Sequence, residues 1–306
     1  MQPLVGQPFR LGALFGALSR DGAFYAFVAP FALLTCLFGL WPILLSFQVS
    51  FTASATALRA DASYVGLANY VAILSDPEFR ASLWRTLTYT AFAVILNVGF
   101  ALAMALLIDS RFITRGRTFF KIAIFLPVVT PDIAGYVAWK WLYDRSFGAI
   151  NAVLDLLGMP AFGGLASVST VTTAILIAEL WHHAGFYIVI FLANLAVRDR
   201  TLDEAAAIDG ATTWQRILYI TIPQLRPAIL INCVYALIQF LKTFTVVVVM
   251  TKGGPADTTN FVSYYAYQLF DQARYGEATA MASVLFGIIA IFALSAYALG
   301  NGERGR

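Results

Sequence analysis

Charge is what this chain lacks most. Only 12% of its 306 residues are Asp, Glu, Lys or Arg, and 60% are hydrophobic. A soluble domain carries roughly twice that charged fraction. So little charge cannot dress a water-facing surface, which excludes a soluble globular protein and leaves a polytopic membrane protein. The net charge of +3 is too small for a nucleic-acid partner. Cysteine is nearly absent. Cys36 and Cys233 both lie in apolar runs and read as buried free thiols, not as a disulfide or a metal site. A cleavable leader is not expected. The apolar run from Ala23 to Phe51 exceeds the ~7–15 residues of a signal core and reads as a retained first span. Internal repeats and low-complexity tracts are missing. So is a G-x-x-x-x-G-K-[ST] phosphate loop, so any ATP-driven work must be done by another chain.

Six stretches supply the ~20 apolar residues of a membrane span. They run over about 24–47, 83–108, 119–142, 171–197, 227–250 and 279–299. Residues 1–22 and 301–306 then form short tails. Lys and Arg in the connecting loops set orientation. With the N-terminus inside, twelve fall on the inner side: Arg10, Arg20, Arg111, Arg115, Arg117, Lys121, Arg198, Arg200, Arg216, Arg226, Arg304 and Arg306. Seven fall outside, and Lys242 lies within the fifth span. The expectation is an all-α protein of six transmembrane helices with both termini cytoplasmic.

The loop 198–226 between the fourth and fifth spans is then cytoplasmic. It carries Glu204-Ala205-Ala206-Ala207-Ile208-Asp209-Gly210-Ala211, followed by Pro223 and Pro227. Thr201-Leu202-Asp203-Glu204 has the spacing of a capping box, the alanines favour helix, and Gly210 suits a left-handed turn at its end. Thr212-Thr213-Trp214-Gln215 predicts a second capped helix, broken by Pro223 before the fifth span. The loop reads as helix, corner, helix. On physics alone it is equally an interfacial helix with Glu204 serving as its cap.

Polar residues recur inside the spans, where they are costly and usually face a bundle interior or wet cavity. Glu179, His182, His183 and Phe186 share one helical face. Asn232, Tyr235, Gln239, Lys242 and Thr243 share another, and Asp132 lies in the third span with Tyr136 and Trp139. Hydroxyl-binding groups beside flat aromatics suit a sugar, while interhelical hydrogen bonding is the plainer alternative. Adjacent histidines point about 100° apart on a helix, so they do not chelate together, and no metal site is expected.

The Glu204–Ala211 spelling, with Pro223 and Pro227 at their distances, resembles the EAA loop of permease subunits of bacterial ABC importers. Val65-Gly66-Leu67-x-Asn69-Tyr70, Phe125-Leu126-Pro127, Trp139-Lys140-Trp141-Leu142 and Gly148-x-Ile150-Asn151 resemble the carbohydrate branch, the maltose-type permeases. So does Lys242-x-Phe244 followed by Thr251-x-Gly253-Gly254-Pro255, a loop similar to that of the maltose-type "F" partner. Ile217 stands where the family often has an aromatic, and Thr245 where an Asp is common.

The resemblance implies a coupling helix that docks on a cytoplasmic ATPase through Glu204, Ala205, Ala206, Asp209, Gly210 and Ala211, with Gly210 giving the bend. It implies substrate contacts around His183, Phe186, Ala236, Phe240 and Thr243, and docking of a binding protein near Gly253, Gly254 and Pro255. The partners implied are a second homologous permease, two copies of the ATPase carrying ATP and Mg, and a periplasmic or lipid-anchored sugar-binding protein. The location implied is a bacterial or archaeal cytoplasmic membrane. Two other classes compete. A secondary transporter or channel would use Asp132, Glu179 and His183 as a proton path and show interrupted helices in both halves. An intramembrane enzyme would need a nucleophile–base pair, which no spacing here supports.

Overall fold

A computed structural model of the chain describes residues 22–53, 63–110 and 117–302. Arg10, Arg20, Arg59, Arg111, Arg115, Arg304 and Arg306, with most of both tails, lie outside the described residues. The described chain is almost wholly helical. α1 (Gly22–Thr35) passes through one wide turn, Cys36–Leu40, into α2 (Trp41–Ser50). A short α3 (Ala68–Ser75) precedes the long α4 (Pro77–Asp109). α5 (Arg117–Val129) and α6 (Asp132–Leu142) follow, then α7 (Ala149–Leu156) and α8 (Val171–Val197). α9 (Thr201–Ile208) and α10 (Thr213–Arg216) form the connecting loop. A wide turn (Ile217–Thr221) and α11 (Ile222–Gln224) lead into α12 (Arg226–Leu241). α13 (Val262–Asp271) and α14 (Tyr275–Gly302) complete the chain.

Four helical stretches among the described residues are long and apolar enough to cross a membrane, or six if each of two bent pairs counts as one span. The continuous four are Phe24–Ser50, α4, α8 and Tyr275–Ala296. The third predicted span is not one rod. α5 and α6 meet at 100°, because Pro131 follows Thr130 and denies the helix an amide where it would continue. The fifth is shorter than predicted, and a bend lies just ahead of it. The run Thr213–Gln224 meets α12 at 68° beside Leu225, and α12 ends at Leu241 instead of continuing to 250. Lys242 and Thr243 are irregular, and one wide turn, Val247–Thr251, closes the segment.

α4 and α8 form the centre, with α5 and α12 packed on them. Their shared core includes Tyr89, Ala93, Ala101, Ala178, Tyr187, Ile188 and Phe191. The small residues allow close approach, the usual means of helix association where lipid offers no hydrophobic drive. At Gly185 a Cβ would stand 2.4 Å from the carbonyl oxygen of Ile124, so α8 touches the backbone of α5 there. A second core joins α3, the start of α4, α13 and α14 through Ile73, Phe79, Val262 and Met281.

Motifs that carried the family resemblance have structural work. The Asn69 side-chain amide donates to the carbonyls of Ser50 and Thr52, both at 2.8 Å, and so ties off the end of α2. Gly66 has φ +59° at the turn leading into α3. A Cβ on Gly148 would lie 2.3 Å from the Asp144 carbonyl oxygen, and the Asn151 side chain accepts from the amide of Phe162 at 2.8 Å.

Candidate functional site

The loop between α8 and α12 is built by its caps. Asp199, rather than Thr201, starts α9. Its carboxylate accepts from the Thr201 amide at 2.9 Å and the Thr201 hydroxyl at 2.7 Å. The capping box read at Thr201–Glu204 does not form. Thr201 is already the first helical residue, and the Glu204 amide is taken by the Arg200 carbonyl at 3.0 Å. The two bonds from Thr201 hold the Asp199 carboxyl below the ordinary aspartate range. The contribution is therefore complete at neutral pH and is lost as pH falls through that lowered pKa.

The other end of α9 follows the sequence reading. Gly210 takes φ +84°, its amide donates to the Ala207 carbonyl at 3.3 Å, and the Ala211 amide donates to the Ala206 carbonyl at 2.9 Å. That pair of bonds is a Schellman end, and it needs a left-handed residue. The second capping box is present. The Thr212 amide donates to Gln215 Oε1 at 2.7 Å, and the Gln215 amide donates to Thr212 Oγ1 at 3.3 Å. Pro223 does not break the helix that follows. The wide turn ahead of it, in which the Ile222 amide reaches back to Ile217, accommodates the ring, and the bend comes at Leu225.

Ion pairs fasten this loop to the spans. Arg198 meets Asp109 at the end of α4 at 3.1 Å and donates to Thr221 Oγ1 at 2.7 Å. Arg200 reaches the same carboxylate at 3.3 Å, and Arg216 meets Asp203 at 3.7 Å. The other side of the loop is uncovered. Ile208 is 86% exposed, Tyr219 76% and Trp214 73%, with Leu202 beside them. Glu204, Ala205, Asp209 and Gly210 are exposed, Ala206 and Ala211 half-buried. The Glu204 side chain has no hydrogen-bond or ion-pair partner among the described residues. A pinned base with an open apolar and acidic rim is a docking shape.

Inside the spans the predicted polar residues form two adjoining networks. Glu179 on α8 meets His183 Nε2 at 3.1 Å and accepts from the Tyr136 hydroxyl of α6 at 3.0 Å. His182 turns the other way, its Nε2 lying 3.0 Å from Asp132. Asp132 opens α6 just past the 100° bend, and Tyr136 sits one turn further on. Tyr136 was not singled out as a ligand-binding residue. Its spacing of four from Asp132, on one helical face, was the available signal. Glu179 and His182 are buried, whereas the Asp132 side chain is 54% exposed. Phe186 lies tilted against Tyr235 with centroids 4.5 Å apart, and Phe240 meets the His183 ring edge-on at 6.0 Å. Tyr235 is 45% exposed and Gln239 half-buried. Asn232 is buried and donates to the Tyr187 carbonyl at 3.3 Å.

Lys242 and Thr243 leave this group. α12 ends before them, so they do not continue the face of Asn232, Tyr235 and Gln239. Thr243 is buried, and Lys242 lines a separate groove against α13 and α14.

At the far end, Gly253, Gly254 and Pro255 shape a packed turn. Gly253 has φ +83°, and a Cβ there would lie 2.9 Å from the Tyr264 ring. The Thr259 hydroxyl donates to the Gly254 carbonyl at 2.8 Å, and the Asn260 amide donates to Glu78 at 3.1 Å. Gly253 is buried, Gly254 and Pro255 half-buried, so Lys252, Ala256 and Asp257 form the outward surface.

The chain is similar to known transport proteins in sequence and in fold. The sequence model of the family described as "Binding-protein-dependent transport system inner membrane component" matches residues 110–301. The trehalose/maltose transport system permease protein MalF of Thermococcus litoralis is 28% identical over 92% of this chain and 94% of its own length. The arabinooligosaccharides transport system permease protein AraP of Bacillus subtilis is 30% identical over 94% of this chain and 91% of its own. A chain of the bacterial alginate ABC transporter, solved in complex with alginate pentasaccharide-bound periplasmic protein, superposes with a TM-score of 0.82. That match covers 92% of this chain and 95% of the other at 23% identity, a likeness of fold.

Proposed function

Since the chain belongs to the family of binding-protein-dependent transport system inner membrane components, we propose that it is the carbohydrate permease subunit of an ATP-driven importer. It forms half of the translocation pore, with six spans and both termini cytoplasmic. A second, homologous permease supplies the other half. Two ATPase subunits, holding ATP and Mg, bind beneath, and a periplasmic or lipid-anchored binding protein delivers the sugar from outside. The observation that carries this reading is the capped helix α9 and the corner after it. Arg198 and Arg200, just ahead of α9, fix the loop to Asp109 at the end of α4, yet Glu204 and Ile208 of α9 and Trp214 of α10 face solvent.

The mechanism follows from that attachment. A contact on α9 that differs between ATP-bound and ATP-free partners favours one arrangement of the spans over the other. The pins at Asp109 and Thr221 convey the displacement of α9 to the ends of α4 and α12. The sugar path runs beside Asp132, His183, Phe186, Tyr235 and Gln239, where hydrogen-bonding groups and aromatic rings meet. Glu179, His182 and Phe240 are buried behind them and hold them in place. The outer docking surface lies around Gly253, Gly254 and Pro255.

Co-purification and transport assays test the reading. Tagged protein from native membranes is expected to bring a second permease and an ATPase with it, and vesicles holding this chain alone are expected to carry no sugar. Uptake by the lone chain driven by an ion gradient would instead establish a secondary transporter built on Asp132, Glu179 and His183.

A further inference from the structure

Lys242 follows the last residue of α12, its amide donating to the Gln239 carbonyl at 3.2 Å. The 16 residues of α12 place it about 24 Å from Arg226 at 1.5 Å per residue, in the half of the membrane opposite the coupling loop. Its side chain is exposed and has no ion pair or hydrogen bond with any described residue. Glu179 cannot serve it, being held by Tyr136 and His183. An ammonium at the end of a span favours an anionic partner, and no described residue supplies one.

The groove beside Lys242 narrows the choice. It is a cavity of about 330 Å³ walled by Phe244, Val262, Ala266, Leu285, Phe286 and Ile289. Ser263 is its one other polar side chain. A sugar would leave nearly all its hydroxyls unpaired against such walls. An acyl chain fits them, and a phosphate at the mouth fits Lys242. We propose that Lys242 and this groove form a binding site for an anionic glycerophospholipid of the leaflet opposite the coupling loop. The site goes beyond the transport reading and holds for any transported solute.

The test uses the purified complex in detergent, exposed to phosphatidylglycerol or phosphatidylcholine and read by native mass spectrometry. Wild-type protein is expected to retain phosphatidylglycerol in preference. Lys242→Gln should lower that retention about fivefold, the factor that one lysine near an anionic headgroup carries. Lys242→Arg should preserve it. Leu285→Trp, which fills the groove and keeps the charge, should lose both lipids. Three results would overturn the proposal: wild-type retention of phosphatidylglycerol by Lys242→Gln; unchanged lipid with a raised KM for the transported solute, which would make Lys242 a substrate residue; or release of the second permease, which would place the counter-charge on that protein.

Discussion

Glu204 and Asp199 divide two tasks that the spelling of the loop runs together. Asp199 holds the start of α9, and Glu204 holds nothing among the described residues. Glu204→Ala should therefore leave thermal stability within about 0.5 kcal/mol of wild type while abolishing coupled transport. Asp199→Ala should instead loosen the loop, seen as faster proteolysis between α8 and α12. Acidification should reproduce that loosening only below the usual aspartate range, because Asp199 is bonded in its charged form. Gly210 has open space around its missing Cβ, so the left-handed backbone is its whole constraint. Gly210→Ala should cost about 1–2 kcal/mol in thermal unfolding, and Gly210→Pro should abolish transport with the spans intact. The second capping box and the glycine stop were legible because their partners lie within four residues. The first cap was misread because Asp199 and Thr201 offer competing oxygens two residues apart, and spacing does not say which becomes the cap.

Helices were legible where apolar sequence ran without interruption. α8 covers the stretch read as a fourth span, and α4 extends the second backwards to Pro77. The breaks were less legible. Prolines are tolerated in membrane helices, so Pro127 and Pro131 gave no warning of which would bend the chain, and the 100° turn fell at the second. That bend matters to the site, since it brings Asp132 to His182 and Tyr136 to Glu179. Lys242 was grouped with Gln239 by helical periodicity, and the grouping failed because α12 stops at Leu241. The packing of α5 on α8 depends on Gly185. Gly185→Val should destabilise the assembled protein by about 1–3 kcal/mol, visible as a lower unfolding temperature in detergent. Gly287→Ala, at a position with no neighbouring atom within 4 Å, should leave that temperature unchanged.

At the scale of the whole molecule, one described span is left open. None of the most apolar window of the first span is buried, and Phe27, Phe31 and Phe38 are more than 70% exposed. Its second half packs on α14, where Phe47 meets Phe286 edge-on at 5.8 Å, and its end is fixed by Asn69 and by Tyr70, whose hydroxyl lies 2.7 Å from that of Ser50. Lipid or a second permease must cover the rest. Expression without the second permease is expected to give faster degradation and a broad elution profile, and co-expression should restore a single species. The polar networks are open as well, at Asp132 and Tyr235, and on the proposed function these open sides form half of an enclosure. One sequence could disclose the residues of that half but not the facing ones, which the proposed function assigns to a second permease.

The central claim is that α9 is where ATP hydrolysis on another chain is converted into movement of these spans. The direct measurement is sugar uptake and ATP hydrolysis, recorded together, in vesicles holding the full complex with Glu204→Lys in this chain. The account predicts an assembled, folded complex whose hydrolysis no longer responds to the loaded binding protein and whose vesicles take up no sugar. Wild-type uptake with wild-type stimulation of hydrolysis would contradict it.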